Sequence, residues 1–466
     1  MILRNIKARL YLLLPPLSGL LLATTFPPLD WNWSIWISFV PLLFFWSKNI
    51  SLQQKLGGGF VTGLLYYSFV AQPFLGVANW AWADFGTIIA DNRALILFWV
   101  WLCAGMGSAI GLGAVAYALH KLKNIPLLLL FPFTFVVSEW LRAAIFFHFT
   151  WGHIGYAVHD LARIRQLAGI IGVYGVSFFI CTINVLVLLL IKHILLKKYY
   201  SAVVYTCVIA LVYAGSWFYG VYRIQENSAP PMNAVILPNA AASAFSPLSF
   251  AQALDTALAG NPQLVILPEN YFGVPYDLAA KTFVRQMFLL APMAENAFSM
   301  LLNQSLRHPD VLFIMGLHTI ENDQHFNSAV LLQDGALRDT YHKHFLFPLA
   351  EKIPGRAFLE NFWTANAYRI AEGSGKQVVR NREHTIGVLM CSEAMFPQLA
   401  QNAKKQGSDF LVIIGNDAIA QNEIVRDELL AMAQFRAVET RQWIFRATTN
   451  GYATIINTSG DIEKNR

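Results

Sequence analysis

Three ionisable residues stand just past short β-type runs in the second half of the chain. Glu269 follows Leu264-Val265-Ile266-Leu267-Pro268, Lys343 follows Asp339-Thr340-Tyr341-His342, and Cys391 follows Ile386-Gly387-Val388-Leu389-Met390. Strand ends are where α/β domains set their reactive groups. A thiol nucleophile needs a base to take its proton and a positive group to hold the charge that develops on an attacked carbonyl. A thiol, a carboxylate and an ammonium are the residue types for that division of labour. Plainer readings stand beside this one: Cys391 as a small buried core residue, and Glu269 and Lys343 as solvated loop charges. No Cys–His signature accompanies Cys391, and His342 and His344, which flank Lys343, read as surface histidines.

The elements that must position these residues begin at about Pro230. Short runs at Asn233–Leu237, Leu264–Leu267, Val311–Met315, Ala329–Leu332, Thr385–Met390 and Phe410–Ile414 predict strands. They alternate with stretches at 246–260, 396–406 and 423–442, where apolar residues recur at helical spacing. Alternation of this kind predicts an α/β or layered α+β domain. Of the four cysteines, Cys103, Cys181 and Cys207 fall in apolar segments and Cys391 is alone in this domain, so the domain makes no internal disulfide.

The first half is different in kind. The 466-residue chain is 56% apolar and 13% charged, against about 25% charged in an ordinary soluble domain, and the apolar residues gather before residue 220. Seven apolar segments read as membrane spans, several reaching the roughly 20 residues a bilayer requires: Tyr11–Phe26, Trp33–Trp46, Gly59–Val77, Ala94–Leu119, Ile125–Leu141, Leu167–Ile191 and Tyr200–Tyr219. The second is short enough to be re-entrant, and Pro15-Pro16 interrupts the first. A signal peptide over residues 1–25 is the weaker reading, for want of a small-residue cleavage site followed by a soluble segment.

Loops on the side of the N-terminus carry Arg4, Lys7, Arg9, Lys48, Lys55, Lys121, Lys123, Lys192, Lys197 and Lys198, and no acid. Opposite loops mix Asp30, Asp84, Asp91 and Asp160 with Arg93, Arg163 and Arg165. The positive side is cytoplasmic, so seven crossings put the catalytic part outside the cytoplasm. Six crossings would reverse that. The net charge of +6 does not point to nucleic acid, because no stretch interleaves basic residues with aromatics. Glu139 and Arg142, three apart on one helical face, read as an ion pair at a helix end. Trp80 and Trp82 read as an interfacial belt, and Arg436, Glu439 and Arg446 as structural ion pairs.

Pro268-Glu269, then Tyr341-His342-Lys343 with Glu351 eight residues on, then Cys391-Ser392-Glu393 with Phe396-Pro397, resemble the three catalytic blocks of the nitrilase (carbon–nitrogen hydrolase) superfamily. Phe326-Asn327-Ser328-Ala329 resembles the strand before the lysine block, and the stretch from Phe435 through Arg441 to Gly451 the last helix and following strand. In the first half, Phe26-Pro27-Pro28, Ser138-Glu139-Trp140-Leu141-Arg142 and the run Gly172–Phe178 resemble spans of the apolipoprotein N-acyltransferase family.

That resemblance implies a polytopic α-helical membrane bundle over residues 1–220, a linker over 221–232, and an extracytoplasmic α/β nitrilase-like αββα sandwich over 233–466. It implies Glu269 as general base, Lys343 as oxyanion stabiliser and Cys391 as nucleophile, with Glu351 supporting Lys343 or the acid–base relay and Glu393 orienting the site. The implied partners are a phospholipid acyl donor, a diacylglyceryl lipoprotein acceptor and the bilayer of a bacterial inner membrane, with no metal or organic cofactor. The chain departs from the family pattern at Ser392, usually Tyr, at Ala418-Ile419-Ala420, where aromatics are usual, and at Asn239-Ala240-Ala241-Ala242, with no Trp in the soluble part before Trp363. It stops at Arg466, where the family usually continues with further strands and a last transmembrane helix. The alternatives are a membrane-tethered amidase or acyltransferase of the same triad with another substrate, and a catalytically silent scaffold.

Overall fold

A computed structural model describes residues 11–72, 93–145, 150–226, 228–237, 246–284, 291–346, 351, 370–417 and 422–465. Arg4, Lys7, Arg9, Trp80, Trp82, Asp84, Asp91, Asn239–Ala242, Trp363 and Ala418–Ala420 lie outside the described residues, as do the side chains of Arg93 and Cys103. The chain forms two compact units, the first ending at Glu226.

In the first unit a helix occupies each of the seven expected segments: α1 (Leu14–Ala23), α2 (Val40–Trp46), α3 (Leu52–Ala71), α4 (Arg93–Lys121), α5 (Leu127–Ile145), α6 (Ala168–Leu195) and α7 (Tyr199–Gln225). Three of the described helices, α5, α6 and α7, are both long and apolar enough to cross a membrane. At 10 and 7 residues, α1 and α2 are about 15 and 10 Å long, too short for a hydrocarbon core of about 30 Å. The re-entrant alternative for the second segment fits the length of α2. Pro15 and Pro16 open α1 rather than breaking it, because the first helical N–H groups have no intrahelical partner to lose. Beyond the other end, α7 runs to Gln225, into the stretch read as linker.

Backbone that is not helical must find its partners inside the protein when no water is at hand. Here polar side chains set in apolar runs supply them. Asn184 accepts from Phe39 N–H at 2.9 Å and donates to Ile35 O at 2.8 Å, and Ser18 Oγ accepts from Leu42 N–H at 2.9 Å. The buried segment between α5 and α6 is held the same way. Glu139 Oε1 accepts from Ile154 N–H at 2.9 Å, Arg142 Nη1 donates to Trp151 O at 2.9 Å, and Tyr66 and Tyr67 hydroxyls donate to Gly152 O and Trp151 O, each at 2.7 Å. Arg142 also lies 4.3 Å over the Tyr67 ring. The expected Glu139–Arg142 ion pair is thus absent among the described residues. Both side chains are spent on the backbone of one irregular segment, which has a stronger claim on them than they have on each other.

The second unit is two stacked sheets between helices. The seven-stranded sheet runs β1 (Ala234–Ile236), β2 (Leu264–Leu267), β5 (Leu312–Glu321), β3 (Tyr276–Asp277) and β4 (Thr282–Phe283), with β6 (Gln324–Gln333) antiparallel to β5 and β7 (Ala336–His342) antiparallel to β6. The six-stranded sheet runs β13 (Ile462–Asn465), β12 (Thr454–Ile456), β11 (Ile444–Thr449), β10 (Phe410–Asn416), β9 (Thr385–Met390) and β8 (Val378–Arg380), with β9, β10 and β11 parallel.

Strand alternation builds two cores at once. On β2 and β5, Leu264, Ile266, Leu312 and Ile314 face Val388, Val412, Ile414 and Phe445 of the other sheet. Val265, Leu267, Phe313 and Met315 face Phe250 and Leu254 of α8 (Pro247–Ala259) and Phe298 and Leu301 of α9 (Ala291–Arg307). The second sheet is covered by α10 (Pro397–Lys405), where a Cβ on Gly387 would stand 2.9 Å from Ala403 Cβ, and α11 (Glu423–Thr440) packs against α10. Arg436 pairs with Glu439 at 3.1 Å and Arg446 with Asp417 at 2.5 Å, as the structural reading of those residues expected.

Replacing Glu139 with Leu would leave Ile154 N–H buried and unpaired. We expect a loss of about 1–3 kcal/mol, seen as earlier thermal unfolding of the detergent-solubilised protein. Unchanged unfolding would sink the role given to Glu139.

Candidate active site

Parallel β2 and β9 end at neighbouring places in the two stacked sheets, and β7 delivers its last residue to the same region. Glu269 comes two residues after β2, Lys343 one after β7, and Cys391 directly after β9. Gly316 on β5 makes the approach of Glu269 possible: a Cβ there would stand 2.5 Å from Glu269 Cα and 2.8 Å from Pro268 O. Cys391 sits at a sharp turn into a 3-10 segment (Cys391–Met395) with φ of 49°, a left-handed conformation that a non-glycine residue holds only under constraint.

All five residues singled out in the sequence are drawn into one polar region. Lys343 Nζ is 2.6 Å from Glu351 Oε2. Asn327 Nδ2 reaches Glu269 Oε1 at 2.6 Å and Glu351 Oε1 at 3.0 Å, so one amide group joins both carboxylates. The Cys391 thiol lies near enough to Glu269 for the two to act on each other's protonation. Asn416 N–H, at the end of β10, points to the sulfur from the other side.

Glu393 lies apart from that chain and ties its surroundings together. Its carboxylate accepts from Met390 N–H at 2.8 Å, His344 N–H at 2.9 Å and Phe345 N–H at 3.0 Å, and from the Tyr341 hydroxyl at 2.7 Å. Gln377 in turn donates to the Tyr341 hydroxyl at 3.0 Å. The residues before Cys391 and after Lys343 are thereby pinned to one carboxylate. Sequence reasoning missed Asn327, Tyr341 and Gln377 as parts of the site. Asn327 and Tyr341 stood inside motifs already quoted, while nothing local distinguishes Gln377.

The electrostatics define the resting state. Burial pushes the Cys391 thiol well above its ordinary range, Glu269 adds to this, and Lys343 opposes it without prevailing. Burial also raises Glu269, against the pull of Lys343 and the Asn327 hydrogen bond. Burial alone would lower Lys343, but Glu351, Cys391 and Glu269 together raise it, so it stays an ammonium. Glu393 is raised by burial and drawn back by Met390 N–H, Lys343 and Tyr341. One cation already faces two carboxylates, so a free thiolate would add a second uncompensated charge. A proton passed from Cys391 to Glu269 leaves the total unchanged. The arrangement is built for base-assisted attack by a thiol that rests protonated.

Known proteins similar to this chain cover nearly all of it. Residues 18–186 match the family model "Apolipoprotein N-acyltransferase N-terminal domain", and residues 241–463 match "Carbon-nitrogen hydrolase". An apolipoprotein N-acyltransferase of Geobacter metallireducens is 27% identical, covering 97% of this chain and 86% of that one. One from Pasteurella multocida is 24% identical over 96% of this chain and 85% of its own length, and one from Methylococcus capsulatus is 24% identical over 96% and 86%.

Gly316→Ala is expected to displace Glu269, since the added methyl meets backbone at under 3 Å. A shift of about 1 Å at a catalytic group costs on the order of 100-fold in rate. Reactivity of Cys391 toward iodoacetamide near neutral pH should fall by about that factor. An unaltered rate in folded protein would contradict the packing argument.

Proposed function

We propose that this chain, which belongs to the apolipoprotein N-acyltransferase family, transfers an acyl group from a membrane phospholipid, through a thioester on Cys391, to the α-amine of a diacylglyceryl-cysteine lipoprotein. It is a membrane-bound acyltransferase of the carbon–nitrogen hydrolase type. The observation that carries the reading is the joining of Glu269, Asn327, Glu351 and Lys343 around the Cys391 thiol.

In the first half-reaction Glu269 takes the thiol proton as sulfur attacks the ester carbonyl. The oxyanion forms beside the Lys343 ammonium, which Glu351 holds in place. Collapse breaks the ester C–O bond, and Glu269 returns the proton to the departing lysophospholipid oxygen. In the second half-reaction the lipoprotein amine attacks the thioester, and Glu269 takes a proton from the attacking nitrogen. The C–S bond breaks as the amide forms, and the proton returns to sulfur. One thiol serving two acyl acceptors in turn is ping-pong chemistry.

A catalytically silent scaffold has no support in the site. Burying ions costs several kcal/mol each, and a scaffold has no use for such a cost at the end of three strands. The basic loops put the N-terminus in the cytoplasm of a bacterial inner membrane. If α1 and α2 both fail to cross, five crossings replace seven, and the catalytic unit stays outside the cytoplasm because both counts are odd.

Membranes carrying the wild type or its Cys391→Ala variant, incubated with phospholipid labelled in the acyl chain, separate the outcomes. Label on the wild type that neutral hydroxylamine releases, and none on the variant, is expected. No label on folded wild type would overturn the phospholipid-donor reading. The acid limb of the acylation rate should lie above the ordinary carboxylate value of about 4.3, because burial raises Glu269 and only its ionised form takes the proton. A limb at or below that value would remove Glu269 as the base.

A further inference from the structure

Asn327 sits on β6 beside Lys343 of the next strand and is 1% exposed. Its carbonyl accepts Lys343 N–H at 2.8 Å, while its side-chain Nδ2 gives hydrogens to Glu269 Oε1 at 2.6 Å and Glu351 Oε1 at 3.0 Å. Its Oδ1 is buried and has no hydrogen-bond partner among the described residues. A flipped amide would set oxygen against two carboxylates, which have only acceptors to offer. Charge therefore fixes the orientation, and the site tolerates an orphaned acceptor to obtain it.

The need for such a group follows from the charges. Lys343 makes its close contact with Glu351, not with Glu269. Two carboxylates brought together around one cation tend to share a proton, which raises the proton affinity of one of them. A base that already holds a proton cannot take one from a thiol.

We propose that Asn327 is the positioning residue that keeps Glu269 ionised and directed at Cys391, by giving one amide hydrogen to each carboxylate so that the two do not share a proton. This rests on Glu269 being the base. The groups facing Glu269 are Lys343, Glu351 and Cys391. His318, opposite Asn327 on β5, is held below its ordinary range by burial, with Lys343 adding to this and Glu351 opposing, so it supplies no second cation. Glu393 is occupied by backbone N–H groups and Tyr341. Removing the amide therefore raises the proton affinity of Glu269, and the pH range over which it acts as a base moves upward.

The test uses the full chain in detergent with Asn327→Leu, and Asn327→Ser as a milder variant should Leu prevent folding. Alkylation of Cys391 by iodoacetamide is followed across pH by mass spectrometry of the Cys391 peptide. The expected result is an acid limb displaced upward by about one pH unit, making alkylation about tenfold slower below the limb, with the wild-type rate approached on the alkaline side. Asn327→Gln, which keeps the donors, should restore part of the displacement. A limb that stays in place, whether the rate is unchanged or reduced equally at every pH, would overturn the proposal. Alkylation needs no lipid, so its outcome is independent of whether phospholipid acylates the enzyme.

Discussion

One ammonium buried among carboxylates is the constraint around which the catalytic unit is arranged. Taking Lys343 out of water costs several kcal/mol, which only close opposite charges with good geometry can offset. Glu351 at 2.6 Å provides the geometry, but it also brings a second negative charge near Glu269. The neutral Asn327 amide relieves that conflict without adding charge. Its place is set by strand register: β6 and β7 pair antiparallel with Ser328 opposite His342, which puts Asn327 beside Lys343. Gly316 on the other side of β6 lets Glu269 come close. Ordinary sheet geometry thus decides which charges meet.

The second buried carboxylate solves the same problem differently. Among the described residues Glu393 has no cation in contact; three backbone N–H groups and the Tyr341 hydroxyl compensate it, with Lys343 acting from further off. Hydrogen bonds to the charged form of a carboxylate can carry its burial. They also make the turn at Cys391 and the residues after Lys343 parts of one rigid assembly, which suits a residue held at positive φ.

Much of the catalytic unit was legible in the residues. Each of the six runs read as strands coincides with a strand or overlaps one to within a residue at its start or end, because strands covered on both faces write themselves as continuous apolar runs. The helices at 247–259, 397–405 and 423–440 fall where helical spacing placed them. Helix α9, Ala291–Arg307, was not anticipated, although Ala294, Ala297, Phe298 and Leu301 line one buried face of it at helical spacing. The five site residues converge, but how they are joined was not legible. Asn327 owes its importance to a neighbour on the next strand, and Gln377 meets Tyr341 from 36 positions away. No window along the chain contains those pairs.

In the membrane unit each apolar run holds a helix among the described residues, but the first two of those helices are short. Hydropathy counts side chains, whereas crossing is decided by whether the backbone can stay hydrogen-bonded to itself over the full thickness. Pro15, Pro16 and Pro41 set helix starts inside apolar runs and so shorten what hydropathy reads as continuous. The compensating signals were single polar residues in the same or distant runs: Ser18, Asn184, and the pair Glu139 and Arg142. An intramembrane charge invites a search for an opposite charge, and three-residue spacing made Arg142 the obvious answer. The structure gives each to main-chain groups instead. Where a buried segment has no water and no helix of its own, unpaired N–H and C=O groups are as demanding as ions, and the polar side chains in apolar sequence mark where the chain stops being regular.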